Sequence, residues 1–473
     1  MKTHIIIAIL FFAAGTSAAK VWNVGKDEMY TVPSTVMNLV SDGDTVLIDA
    51  GLYSGDVGTW TKNNLVIKGI GNGYAQLDAA GNNAGGKAIW VIDGKNTYIE
   101  NIEFTGCSVP DHNGAGIRQE GDNLELRHCF FHDNEDGVLT GASPTSDILF
   151  EACEFARNGY GDGYSHNIYI GNIRTFTMRF CYSHHAKIGH CVKSRARNNF
   201  IEYNRIMDED TGSASYLINL PNGGFSIVLG NVMQKGVDGQ NRTLLDYGSE
   251  GLSNPSKNLY VVNNTMVSLR TAGATFINVA SGTDTAKIIN NFFVGSGNIL
   301  SGIADTITNY ASPYTQSSFF SNAFKYDYRI VGDVLPMPQA SNPGTAGSIS
   351  LTPVFEYVHP LDSAVRIELL LMGAFVNDFG HFGGGVAETL SQNPVSIFPN
   401  PFSKRTTIEL NNISEPVTLI LYNSLGEIVR KEIHRPQNST LTFERNTLAS
   451  GEYHCLILDA KGNAISAGKF IIE

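Results

Sequence analysis

The chain is 473 residues long, carries a formal net charge of −12, and has only 16% charged residues beside 49 glycines. That acidity favours solubility and excludes general binding to nucleic acid. Abundant glycine with sparse charge fits a turn-rich β protein, and none of the six cysteines stands in the CxxC spacing of a metal site.

Lys2, the apolar run Ile5–Ala14 and the small residues Ser17, Ala18 and Ala19 read as a secretory signal peptide over 1–19. The run is well short of the roughly twenty apolar residues that span a bilayer, and no other stretch reaches that length. The mature chain is therefore expected to be exported and soluble. Residues 30–53 read as a short amphipathic helix followed by the first strand. Ser34 is its N-cap, and Val36, Leu39 and Val40 form the apolar face. Such a unit can cover the open end of a repeat array.

From Ile99 to Phe293 a pattern recurs: apolar-x-x-(Asn or Cys)-x-apolar. Its fourth positions are Ile102, Cys129, Cys153, Cys181, Asn204, Asn231, Asn264 and Asn291, spaced 23 to 33 apart and centred near 27. A period of this size marks a solenoid whose units bury their apolar faces against one another. Alternation of period two inside each copy makes the unit a strand. The cysteines then fall in an inward slot as buried thiols rather than bridges. The asparagines stack as amides that hydrogen-bond along the axis. A second strand aligns in each repeat, with Ile117, Val138, Ile168, Val192, Leu217, Leu245 and Ile277 as its inward column. Arg118, Leu139, Tyr169, Lys193, Ile218, Asp246 and Asn278 face out. Two or three short strands per coil describe a parallel β-helix, and over roughly 30–300 the sequence resembles the right-handed, pectate-lyase-like family. The fold class expected is all-β, with residues 20–385 forming the helix, its N-terminal cap and irregular last coils.

Past Gly295 the pattern decays, with an apolar cluster at Leu369–Met372. The glycines Gly383–Gly385 and a linker at 386–394 close the solenoid. Residues 395–473 alternate again in short strands suited to a small β-sandwich. Phe398-Pro399-Asn400-Pro401-Phe402, Tyr422-Asn423-Ser424-Leu425-Gly426, Leu448-Ala449-Ser450-Gly451 and Gly468-Lys469-Phe470 resemble the C-terminal sorting domain of type IX secretion cargo. The resemblance implies the type IX machinery as a partner, export through an outer membrane to the surface or medium, and removal of the domain. A carbohydrate-binding sandwich is the alternative.

Between Arg174 and Arg205 there are seven Lys or Arg and one acid, Glu202. Lys193, Arg195 and Arg197 alternate, so an extended strand shows all three to one side. Tyr169 is expected beside Lys193, with His166, His184, His185, His190 and Tyr216 around them. These groups suit a uronate polymer, whose C5 proton is acidified by the adjacent carboxylate. Lys193 is the candidate base, lowered by Arg195, Arg197 and protonated histidines. His190, Tyr169 and His166 complete the catalytic set. Arg118, Arg197, Tyr216, Asn219 and Asp246 are the candidate substrate contacts. Lys193-Ser194 resembles the lysine coil of alginate and dermatan lyases, in which an arginine on the next coil assists. Here Ser215–Gly224 holds no arginine, and Lys187–His190 stands where acidic calcium ligands belong. No cofactor is expected, with calcium left as the one alternative although its expected acidic ligands are not seen. The expected function is a secreted lyase or C5-epimerase acting as a monomer on an acidic polysaccharide. The rivals are a non-catalytic glycan-binding or surface protein and a glycoside hydrolase, for which Asp136 and Asp162 do not form the close cluster required. In the plain structural reading Arg118 or Lys193 only pairs at the surface with Glu202.

Overall fold

The computed structural model describes residues 19–313, 320–330, 340–366, 371–375 and 395–473, the last without 411–412, 414, 424–427, 437–438 and 460–463. The signal peptide (up to residue 18), Leu369, Leu370, Gly383–Gly385, the linker 386–394 and Ser424–Gly426 lie outside these residues. No helix among the described residues is long and apolar enough to cross a membrane.

The body is a solenoid of parallel strands. One sheet of 21 strands takes two strands from most coils, and a second sheet of 10 strands takes one. The ten run from Gly58–Trp60 through Asp136–Thr140, Ile168–Ile170, Val192–Ser194, Ile218–Leu220 and Thr243–Tyr247 to Gly297–Ser301. Between them lies a continuous apolar core from Trp22 to Phe293.

The inward slot forms as the repeat implies. The amide N–H of Cys181 donates to Asn204 Oδ1, that of Asn204 to Asn231, and so through Asn264 to Asn291, each at 2.9 Å. Asn309 extends the ladder by one coil beyond the reach of the sequence pattern, accepting from Asn291 at 2.8 Å. The residue before each slot is left-handed: Ala152, Phe180, Tyr203, Asn263 and Asn290 all have φ between 51° and 57°. Gly230, at φ 67°, holds the same place before Asn231. This turn aims the next side chain inward, and it recurs because the inward amide repeats. All six cysteines are buried and unbridged.

Three local expectations need correction. A strand at Val21–Val24 precedes the helix and opens the long sheet. The helix is one turn, Ser34–Met37, capped by Pro33 with no side-chain cap bond, because Ser34 gives both its N–H and hydroxyl to Asp56. Met37 is buried in place of Leu39, which is 48% exposed. Along the second strand, Ile218 pairs with Val192 and Leu245, so Ile218 points inward and Asn219 takes the outward place beside Lys193 and Asp246. Leu217 is also buried, at the corner one step earlier. Two successive inward side chains at a corner break the alternation that set the register.

Residues 395–473 form a three-stranded and a four-stranded antiparallel sheet around Phe402, Leu419, Phe443, Tyr453 and Phe470. Ile428–His434 and Thr440–Glu444 are strands there that the sequence pattern left out. Ile420, Tyr422 and Leu456 pack with Phe355 onto Phe180 and Tyr203, which project from the long sheet.

Candidate functional site

The outward strip of the ten-stranded sheet brings Tyr169, Lys193 and Asn219 side by side on successive coils. Lys193 Nζ lies 5.6 Å from the centre of the Tyr169 ring and the Arg195 guanidinium 5.8 Å from it. Arg195 Nε donates to the Tyr169 hydroxyl at 2.9 Å, and its Nη1 donates to Asn222 at 2.6 Å. Glu250, on the loop after Thr243–Tyr247, closes the group. It accepts from Lys193 Nζ at 3.2 Å and from Arg195 Nη2 at 2.6 Å. Burial acts to raise the Glu250 carboxyl, but the Arg195 hydrogen bond and the Lys193 charge outweigh it and hold the group below its ordinary range.

At the edge of the strip, His166 stacks on His190 at 4.5 Å and on Tyr169 at 5.6 Å. The two imidazoles are buried and locked by backbone groups: His190 N–H donates to His166 Nδ1, and Tyr216 N–H to His190 Nδ1. A neutral ring that accepts at Nδ1 carries its proton at Nε2. The Nε2 of His166 is buried with no partner, a donor awaiting an acceptor. Burial, reinforced by Lys193, lowers His190 to about 3 and His166 well below its ordinary value. The protonated histidines expected to crowd Lys193 are therefore neutral, and Glu250 sets an opposite charge beside it.

The other candidates separate. Tyr216 leans on His190 with ring centres 5.1 Å apart. Asn219 donates to Asp246 at 2.7 Å, and Asp246 also accepts from Asn278 and Ser249. Burial pushes the Asp246 carboxyl up against the pull of these donors. Arg118 lies two coils from Tyr169, beyond Leu139, and pairs with Glu120 at 3.1 Å. The strand carrying Lys193 ends at Ser194, so Arg197 sits in the following turn and does not share its face. Asp136 is buried, accepting from the His166 amide, while Asp162 lies exposed on the preceding loop, so they form no hydrolytic pair. His184 and His185 project from the long sheet, around the corner from His190.

The basic island is neutralised in space. Arg174 meets Asp147, Arg179 meets Glu151, Lys187 meets Asp133, and Arg205 meets Glu209. With Lys193 and Arg195 on Glu250, Arg197 alone among the seven has no acid assigned to it among the described residues. Glu202 faces Arg179 rather than Arg118 or Lys193.

Sequence reasoning missed Glu250 and Asn222, which lie 55 and 27 residues from Arg195 with no local motif. It also missed the loop before His166, where Tyr164 is 86% exposed and Tyr160 stacks on His112 at 3.6 Å. The signal there was three glycines, Gly159, Gly161 and Gly163, all with positive φ. Calcium takes six to eight oxygens; on the strip the carboxylates of Asp246 and Glu250 each already accept from neighbouring donors.

Residues 50–227 match the family model described as a right handed beta helix region, and residues 396–473 match a secretion system C-terminal sorting domain. No curated protein matches the chain. Similar solved structures include the pectin methylesterase PemA from Erwinia chrysanthemi, at 14% identity and a TM-score of 0.31, covering 47% of this chain and 81% of that one. The pectin methylesterase from Aspergillus niger is 10% identical with a TM-score of 0.31, over 64% of this chain and 89% of that one. The PL6 family alginate lyase AlyGC is 11% identical with a TM-score of 0.28, over 78% and 59%. Identities this low carry no activity across. The sorting domain directs the chain to export through type IX secretion, to the cell surface or beyond it.

Proposed function

We propose that this chain, a right-handed parallel β-helix protein exported through type IX secretion, acts on a uronate-containing polysaccharide at the Tyr169–Lys193–Arg195 cluster. One observation carries the reading. Lys193 and Arg195 together already hold a carboxylate, that of Glu250, beside a tyrosine hydroxyl. A sugar carboxylate that displaces Glu250 meets the Arg195 guanidinium, which stabilises the charge that builds on it when C5 loses its proton. Lys193 Nζ, once its ammonium proton has passed to solvent, takes the C5 proton as a neutral amine. In elimination the C5 electrons form the C4–C5 double bond, and O4 departs with a proton from the Tyr169 hydroxyl. In epimerisation a proton returns to C5 from the other face.

The rival reading is a glycan-binding surface without turnover. It is favoured by the pairing of both cations with Glu250 in the free protein, an arrangement that binds a carboxylate without needing any proton transfer. Alginate, pectate, hyaluronan and dermatan incubated with mature protein separate the two, read by absorbance of unsaturated uronate and by C5 proton exchange. Lys193→Ala should lower turnover by about 10²–10⁴-fold, the range for one acid–base group. Lys193→Arg should not restore it, because guanidinium keeps its proton. Absence of turnover on every polymer, with affinity retained in Lys193→Arg, would leave the binding reading.

A further inference from the structure

Around the corner from the strip, the same coil carries a second constellation that the glycan reading does not use. His184 lies on the strand Tyr182–His184 of the long sheet, and His185 opens the turn after it. Each ring faces a carboxylate through Nε2: His184 meets Glu154 at 3.1 Å and His185 meets Asp210 at 3.2 Å. A carboxylate opposite Nε2 fixes the proton there, so a neutral ring presents a bare lone pair at Nδ1. The two Nδ1 atoms point at each other, 2.6 Å apart. Two lone pairs at that separation repel unless a positive centre lies with them.

A third ligand group stands at the same point. Glu209 offers an oxygen within 4.8 Å of ring nitrogens of both histidines. The Tyr182 hydroxyl and Arg205 both donate to its Oε1, which orients the carboxylate and leaves Oε2 to another partner. Tyr182 also stacks on His184 at 3.9 Å, fixing that ring from the other side. Three carboxylates, those of Glu154, Glu209 and Asp210, gather here, and among the described residues Arg205 is the one Lys or Arg paired with any of them. With both rings neutral, the cluster attracts a cation. His185 is 17% exposed and Asp210 73% exposed, so the site opens to solvent on that side.

We propose that His184 Nδ1, His185 Nδ1 and Glu209 bind one divalent transition-metal ion of the zinc type, with Glu154 and Asp210 orienting the two imidazoles. Two nitrogens, one carboxylate and an open position for water form a ligand set suited to zinc, while the nitrogens disfavour calcium and magnesium. Bonds of about 2.0–2.1 Å spread the two Nδ1 atoms to roughly 3.3 Å in a tetrahedral site. The partly exposed His185 ring can make that small rotation. The repeat stacking supplies the geometry, since His184 and Glu154 lie on neighbouring coils and Glu209 follows on the next.

The test uses untagged full-length protein stripped with a chelator, then titrated with Zn²⁺ by calorimetry and by equilibrium dialysis. One equivalent should bind. His185→Ala and Glu209→Gln, both at partly exposed positions, should each weaken binding at least tenfold without changing the melting temperature of the metal-free protein. Glu154→Gln should weaken it by about 10–100-fold, the usual effect of removing a carboxylate behind a ligating imidazole. Co²⁺ should give d–d bands that Zn²⁺ displaces. No bound Zn²⁺, or binding that survives both His185→Ala and Glu209→Gln, overturns the proposal and leaves a proton shared between the two rings. Neither outcome depends on glycan turnover.

Discussion

The inward slot and the outward strip lie on the same coils, yet they are built by different rules. In the slot every side chain meets the same position one coil on, so Asn204, Asn231 and Asn264 repeat one set of bonds. On the strip, Tyr169, Lys193 and Asn219 share a column, but the groups that complete the site arrive from elsewhere. Asn222 and Glu250 come from turns, and Arg195 reaches back to Tyr169 across the coil. Repetition makes the scaffold, and departures from repetition make the site. Buried amides with periodic partners should therefore govern stability, while the strip should tolerate change and govern ligand binding.

The strongest test of that contrast is Asn231→Leu. It leaves the backbone N–H of Asn204, one of the two Nδ2–H groups of Asn204 (the other stays on the Met178 carbonyl) and the carbonyl of Ile201 without their Asn231 partners. At roughly 1–3 kcal/mol for each unsatisfied group, the loss should reach at least about 3 kcal/mol in denaturant unfolding. A loss under about 1 kcal/mol would mean the ladder is ornamental and the apolar core alone holds the coils.

The next effect is one of pH. His190 and His166 are held below the ordinary histidine value of about 6.5. Between pH 6.5 and about 3, where His190 titrates in the folded chain, the unfolded chain binds protons that the folded chain does not. Stability from these groups is thus complete above pH 6.5 and is lost as the pH falls through that window. His190→Asn keeps an acceptor for the Tyr216 amide but cannot be protonated. Its unfolding midpoint should fall less steeply from pH 7 to pH 4 than that of the native protein. Equal slopes would show that the edge of the strip is wetter than its burial indicates.

The smallest effect on stability belongs to Glu250→Gln. The carboxyl is 45% exposed, and such pairs contribute about 0–1 kcal/mol. Affinity for a uronate polymer should nevertheless rise severalfold, because the competing internal carboxylate is gone. A fall in affinity would show that Glu250 holds Lys193 and Arg195 in position instead of standing where the ligand binds.

What the sequence determined was whatever repeats. The period near 27, the alternation within each copy and the Asn and Cys slots dictated parallel coils, inward thiols and the amide ladder. The aromatic, glycine and asparagine motifs after Val395 marked the sorting domain. Tyr169 beside Lys193 was legible too, because both obey the column. The tertiary structure alone decided what the repeat does not encode. Leu217 and Ile218 both turn inward at a corner, so Asn219 replaced Ile218 on the strip. Seven cations crowded in sequence are dispersed in space, six of them onto acids of other turns and coils, because neighbours along the axis lie about 4.8 Å apart while being a whole coil distant in the chain. Burial made His166 and His190 neutral where spacing implied charge, and desolvation depends on what covers a residue, which no local pattern records. Glu250, 55 residues beyond Arg195, could be found only once the chain had wound back over it.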